Sequence, residues 1–370
     1  MRRTGFSSSA LAIAVLAIGL LGACSRAQAE PYIAVQQGFK CSQCHLNPTG
    51  GGLRNTYGDV FAQTVLAAKH IDTGSNVWTG AINSFLSIGG DLRYDYTLDK
   101  VRNQPSTNQF AMQQTRVYLD ANVIPDRLLV YVDEQVAPGG AVNREAYGMY
   151  WSAAHDWYLR AGQMYLPFGF RLQDQTAFVQ EVSGINMTTP DDAVEFGYLR
   201  GPWDLQIDVS NGTAGGPVVS NGKQYGTQLQ FVHAGWRAGL ALDLNDSATS
   251  GRRAAYGLFG GLKTGPIGWL AEVDLVVDHT VRNGLRTAGG LLEADWLIAR
   301  GHNLKVTAEQ LAPDLSISVH HNGQARWSLV YEFSPIQFVQ LRAGVRYLDG
   351  IPQADTQHEQ LYFLELHGFF

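Results

Sequence analysis

The chain has 370 residues, 45% of them hydrophobic and 16% charged, with a formal net charge of −6. The acidic balance argues against nucleic-acid binding, and three cysteines are too few for a disulfide framework. The length allows one large domain or two of medium size.

At the N-terminus, Arg2 and Arg3 precede the apolar run from Ala10 to Leu21, which is too short for a membrane-spanning helix and reads as an export signal over residues 1–29. Ala27-Gln28-Ala29 suits ordinary cleavage after Ala29. Leu21-Gly22-Ala23-Cys24 suits lipoprotein processing, which would remove residues 1–23 and acylate Cys24. The first is slightly preferred, because a membrane-embedded barrel gains little from an added acyl chain. Beyond the leader only Cys41 and Cys44 remain, and they share one motif.

That motif is Cys41-Ser42-Gln43-Cys44-His45. Two cysteines separated by two residues present their thiols to the two vinyl groups of a haem, and the adjacent histidine reaches the iron from the same side. The spacing therefore predicts one covalent haem c with His45 as proximal ligand. A zinc site is the rival reading, but it wants four protein ligands and the chain has no second cysteine pair. A redox disulfide wants a βαβ context that the sequence lacks.

Residues 30–80 form the expected cytochrome segment, with a helix over Asn55 to His70 whose apolar face is Val60, Phe61, Thr64, Val65 and Ala68. Three distal ligands stand open: His70 at the end of that helix, or Met112 or Met164, which the strand register turns toward the lumen of the domain that follows. Phe39, Tyr57 and Phe61 are candidate haem-packing residues, and Gly50-Gly51-Gly52 reads as a flexible turn. So small a unit needs a staple to be stable, and the haem is one.

Residues 81–370 alternate apolar and polar. In Arg116 to Val123 the odd positions are apolar and the even ones polar, and Trp236 to Leu244, Trp269 to Asp278 and Val339 to Tyr347 repeat the pattern. Charges on the wet face, such as Asp120, Arg237 and Glu272, would be costly in a dry core, and a water-filled lumen removes that cost. Seven tight turns, including Pro125-Asp126, Gly265-Pro266 and Ser334-Pro335, alternate with eight longer stretches, so the count predicts sixteen strands. The fold class is thus all-β: a 16-stranded antiparallel outer-membrane β-barrel with a short N-terminal α-helical monohaem cytochrome c segment. That segment is the right size to plug the barrel. The longest connection, Pro167 to Asp191, follows the fifth strand, and the resemblance to sixteen-stranded porins, which fold a loop into the lumen there, implies the same here; the final strand ends on the aromatic Phe370.

Gly162-Gln163-Met164-Tyr165-Leu166-Pro167-Phe168-Gly169 resembles the phosphate-selective porins, but Tyr165 stands where that family often has lysine, so phosphate selectivity is not implied. The order of leader, single haem motif and barrel resembles the fused monohaem cytochrome–porins of the outer membrane, which include iron(II) oxidases. The approach to the motif from Ile33 is similar to that family's Phe-Ala-Arg-Gln-Thr-Gly, matching at Ala34, Gln36, Gly38 and Cys41, with Val35 in place of the arginine. The resemblance implies a Gram-negative outer-membrane protein whose one haem takes electrons from an extracellular donor such as Fe(II) and passes them to a periplasmic cytochrome. As an enzyme it would be an Fe(II):cytochrome c oxidoreductase. Loop acids Asp99, Asp246 and Asp355 and loop histidines His279, His320, His321 and His358 are candidate donor contacts, although His320 and His321 on an extended strand would point to opposite faces. Two other readings stand beside it: a passive porin with a haem-bearing plug, and a barrel that sheathes a separate multihaem cytochrome.

Overall fold

A computed structural model describes residues 30–72, 74, 77–282, 284–350 and 358–370. The leader, with both cleavage sites and Cys24, lies outside the described residues, as does Asp355. Sixteen antiparallel strands close into one barrel, each paired with its neighbours in sequence and β1 with β16. The first eight are β1 (Leu86–Val101), β2 (Thr107–Ile124), β3 (Leu128–Ala137), β4 (Val142–Trp151), β5 (Trp157–Met164), β6 (Asp191–Tyr198), β7 (Trp203–Ser210) and β8 (Gln224–His233). The second eight are β9 (Trp236–Asn245), β10 (Arg253–Thr264), β11 (Ile267–Asp278), β12 (Leu285–Ala299), β13 (His302–Ala312), β14 (Gln324–Phe333), β15 (Val339–Asp349) and β16 (Glu359–Phe369). At the seam Gly90 and Phe370 exchange both backbone hydrogen bonds, each 3.1 Å.

The period of two decides which residues face out. Leu240, Leu258, Val273, Leu292, Val306 and Leu364 are all exposed on the outer face. Aromatic side chains ring the end that carries the short turns: Tyr150 lies 5.9 Å from Trp157, Trp203 5.0 Å from Phe231, and Phe231 5.2 Å from Trp236. An apolar band flanked by aromatics is the surface that lipid selects, since rings with a polar edge suit the headgroup level.

Simple alternation fails at one place. Across β1 and β2, Arg93 pairs with Gln114 but Tyr94 pairs with Met112, so Gln113 is an extra residue in the strand. This β-bulge reverses the parity of everything before it. Arg116, Tyr118 and Asp120 are buried on the inside, whereas Phe110 is 70% exposed. Met112, paired with the exposed Tyr94, sits on the outer face and not in the lumen, because opposed residues of a pair share a face.

The N-terminal segment enters the ring at the short-turn end. Helix α1 (Pro31–Gln37) starts on a proline and ends at Gly38 in the left-handed region, with Tyr32, Ile33, Val35 and Gln36 buried against β9, β10 and β11. A single 3₁₀ turn carries Cys41–Gln43. Helix α2 (Thr56–Phe61) is capped by Asn55, whose side chain accepts from the Gly58 amide at 2.9 Å, and a wider π-type turn continues it over Ala62–Leu66. The helix therefore stops at Leu66, short of His70. Ala68 and Lys69 donate instead to the carbonyls of Ser334 and Pro335 in the β14–β15 turn, at 2.8 and 3.1 Å, which pulls the chain out straight. The buried face is Ala62, Gln63 and Leu66, while Val60 is exposed.

The connection after β5, the third of the long loops, folds inward, as its place after the fifth strand of a porin-like barrel implied. It crosses the lumen to the far wall, where the amides of Phe170 and Phe178 donate to Glu272 and Glu309, at 2.9 and 2.8 Å, and helix α3 (Phe178–Ser183) packs on β11, β12 and β13. It then returns to β6. Another expectation changes at the β13–β14 loop, where His320 and His321 lie on a short helical turn, Val319–Asn322, and not on an extended strand.

Candidate functional site

The segment is held to the wall by cations that seek its carbonyl groups. Lys40 Nζ donates to the carbonyls of Leu199 and Trp203, at 2.8 and 2.6 Å, in the β6–β7 turn region. From the wall inward, Lys263 donates to Gln36 O at 3.1 Å, Arg300 to Thr64 O and Ala67 O at 2.6 Å each, and Arg237 to Phe39 O. Carbonyls left open by short, interrupted helices are thereby satisfied away from water.

One side chain is buried in the middle of a charged network. Asn47 donates to both oxygens of Glu145, at 2.7 and 2.8 Å, and its own oxygen accepts from Arg160 at 2.9 Å and from Thr49 N at 3.0 Å. Arg160 pairs with Glu195 at 2.8 Å, and all three charged residues are fully buried. The wet face of β4 to β6 is therefore paired and covered by the segment, where sequence reasoning had expected hydration. From the third loop, Arg171 donates to Thr49 Oγ1 at 2.8 Å, so the two inserted pieces meet.

Between them lies a cavity of about 480 Å³ onto which Cys41, Cys44 and His45 open together. Phe39, Phe61 and Leu66 line its apolar side, and Arg54, Arg171 and Arg237 add positive charge. Phe39 stands edge-on to Tyr57 and Phe61, with ring centroids 5.7 and 6.2 Å away. A second cavity of about 660 Å³ lies toward the short turns, with His45, Ser42, Gln43 and Arg127 among its lining, so His45 borders both spaces.

The motif is tightly wrapped. A Cβ on Gly58 would sit 2.1 Å from Cys44 O, and one on Gly52, whose φ is +66°, would sit 2.3 Å from the Tyr131 hydroxyl. That hydroxyl accepts from Leu53 N at 3.1 Å. Cys41 and Cys44 are free thiols. Burial pushes both upward, Cys44 to about 11 with Cys41 beside it adding to the effect. Burial, then the Arg54 guanidinium, lowers His45 to about 3, against the pull of the Gly52 and Gly51 backbone. The imidazole is thus neutral at ordinary pH, and its Nδ1 is buried with no hydrogen-bond partner.

These observations fit a haem c: two adjacent thiols, a neutral imidazole with a lone pair to give, an apolar wall and nearby cations. Of the sequence candidates, Phe39, Cys41, Cys44 and His45 come together. His70 does not join them; it is exposed between Lys69, bridged to Ile336, and Ile71, which donates to Gln337, and it does not line the cavity. Met112 faces outward, and Met164 is fully buried in the wall at the end of β5, away from the cavity lining. Among the lining residues that escaped sequence reasoning are two with iron-ligating side chains. His367 engages Asp91 and Gln340 through its two ring nitrogens, at 2.8 and 2.9 Å. Met187, from the third loop, has its sulfur 3.4 Å from where a Gly51 Cβ would be. Only the alternation that placed His367 inside offered any signal.

No family model matches the chain, and no curated protein does. Solved structures do. An anion-selective porin from Comamonas acidovorans aligns at TM-score 0.62 and 9% identity, over 78% of this chain and 100% of that one. OprB of Pseudomonas putida aligns at 0.60 and 8%, over 78% and 94%. The outer-membrane channel DcaP of Acinetobacter baumannii aligns at 0.59 and 13%, over 77% and 97%. At such identities the likeness is one of fold: the chain is a 16-stranded barrel of the outer-membrane porin kind.

Proposed function

We propose that this chain is an electron-transfer protein of the Gram-negative outer membrane, a porin-type barrel whose N-terminal segment plugs the lumen and carries one covalent haem c. The observation that carries the reading is that Cys41, Cys44 and His45 open together onto one lumen cavity. A haem bound there supplies a one-electron iron couple. Cys41 and Cys44 anchor it, His45 gives an uncharged ligand, Phe39, Phe61 and Leu66 keep water from it, and Arg171 and Arg237 balance its carboxylates. Because His45 borders both cavities, electrons have a route from the long-loop side to a carrier cytochrome at the short-turn, periplasmic side. An external donor such as Fe(II) suits this arrangement.

A second reading, a passive porin with a haem-bearing plug, is favoured by the fold likeness itself, since the neighbours are porins and channels. The third, a sheath for a separate multihaem cytochrome, is disfavoured by the segment and third loop that already occupy the lumen. The deciding experiment combines haem staining after denaturing electrophoresis, bilayer conductance and stopped-flow mixing with Fe(II). Electron transfer requires a covalent stain lost in Cys41→Ala, closed channels and reduction of the haem by an added donor. Large currents from the haem-loaded protein establish the porin reading; absence of the stain sinks both.

A further inference from the structure

Four carboxylates converge where the segment enters the barrel: Glu30 at the start of α1, Glu293 and Asp295 on β12, and Glu332 on β14. Lys305 on β13 stands among them, ion-paired with Glu30 and lying 3.7, 3.9 and 3.8 Å from Glu293, Asp295 and Glu332. Register explains the gathering, since Asp295 pairs directly with Lys305 and Asn303 directly with Glu332, all turned inward. Arg342 meets Glu332 at 3.2 Å but is shared with Glu365 at 3.1 Å. Two cations against four carboxylates leave an excess of negative charge in a place largely withdrawn from water, which is costly unless something neutralises it.

The donor atoms are also left open. Ligand oxygens of Glu30, Glu293 and Asp295 lie within 4.8 Å of one another. Glu293 Oε1 and Asp295 Oδ2 are buried without hydrogen-bond partners. Asn303 supplies a separate sign: its Nδ2 donates to Asp295 Oδ1 and Glu332 Oε2, at 3.0 and 2.9 Å, which fixes the amide and leaves its fully buried Oδ1 without a donor.

We propose that this cluster binds one hard divalent cation, Ca²⁺ by its all-oxygen ligands, held by Glu30, Glu293 and Asp295 with Glu332 and Asn303 beside them, the Lys305 ammonium withdrawing from Glu30 as the ion enters. The ion ties the first turn of the segment to the β12–β14 wall. Glu30 also borders the cavity of the haem motif, whereas Glu293, Asp295 and Glu332 do not line it, and the test does not depend on haem.

The test uses the full chain, purified in detergent, stripped with a chelator and dialysed against Ca²⁺, beside the double variant E293Q/D295N. The expected result is one more bound Ca²⁺ per chain in the wild type than in the variant, with added Ca²⁺ raising the unfolding midpoint of the wild type alone. Equal stoichiometry and no wild-type shift overturn the proposal and assign the excess charge to protons held by the carboxyls. Should the double variant not fold, Glu30→Gln, which lies outside the wall, serves in its place: a roughly tenfold weaker affinity is expected, and unchanged affinity overturns the assignment.

Discussion

Two pieces of chain fill this lumen, and charged side chains of the wall reach the carbonyls of one but both the carbonyls and the amides of the other. The N-terminal segment presents carbonyl groups, and the wall answers with cations: Lys263, Arg237 and Arg300 all point at backbone oxygens. The third loop presents amides as well, and the wall answers those with carboxylates, Glu272 to Phe170 and Glu309 to Phe178, while Arg253 takes the Val182 and Ser183 carbonyls at 2.6 Å each. Backbone recognition is tolerant of sequence, so positions that offer the wall only a carbonyl are freer to vary than Gly52 and Gly58, which leave no room for a side chain. Where a side chain is specified, as at Asn47, it bears a large share of the attachment.

The largest break in that comparison comes from Asn47→Leu. It strips partners from Glu145 and Arg160, both fully buried, and should destabilise docking of the segment by about 3–5 kcal/mol. Proteolysis of the folded barrel would report it as cleavage near residue 47 with the barrel core intact; an uncut segment would refute the estimate.

Asp59 comes next. Burial raises its carboxyl from 3.8 to about 6, with Arg54 opposing. An acid whose pKa is raised by folding favours the docked state fully below its unfolded value, and that contribution fades as pH rises through the folded one. Docking should therefore weaken between about pH 4 and pH 6, by up to about 3 kcal/mol, and Asp59→Asn should flatten the slope in the same protease assay.

On the loop side, Glu309→Gln keeps an acceptor for the Phe178 amide but loses the charge that pairs with Arg326 at 2.6 Å. A loss of about 1–2 kcal/mol is expected, seen as faster hydrogen exchange over Phe178–Ser183 with the segment unaffected. Exchange rising equally in both pieces would erase the distinction drawn between them. The smallest effect is expected from His70→Ala: an exposed residue away from the cavity should change stability by less than about 0.5 kcal/mol and leave the spectrum of the proposed haem unaltered. Loss of a low-spin spectrum would restore His70 as a ligand.

The barrel was legible because its signal is local and repeated: alternation fixes the faces, and turn residues punctuate it. Seven short turns and eight long loops fall where Gly-Pro, Pro-Asp and similar pairs put them. Met112 was misread because a single extra residue, Gln113, inverts the parity of half a strand, and nothing in the composition of that stretch marks the insertion. The helix was drawn too long because its helical pattern runs on to Ala68, while the competing hydrogen bonds come from Ser334 and Pro335, far away in sequence. Cys41, Cys44 and His45 were readable as a unit since their chemistry is set by spacing. Asn47, Arg171 and Met187 were not, because their partners lie on other elements.

The seam between β1 and β16 also bears on how the molecule is assembled. Gly90 and Phe370 close the ring, and the Arg54 guanidinium, from the same segment as the haem motif, lies 4.5 Å over the ring of Phe369 in the closing strand. The segment also touches β3 through Tyr131, β10 and β11 through α1, and the β14–β15 turn through Ala68. A body in contact with most of the circumference is either inside when the last pair of strands zips, or must thread in afterwards past walls already set. The first order makes the earliest exported part of the chain a mandrel on which the latest part is laid down. Pulse-labelled assembly of a chain lacking residues 30–72 would then stall before the seam closes, and closure at the normal rate would show that the ring forms without it.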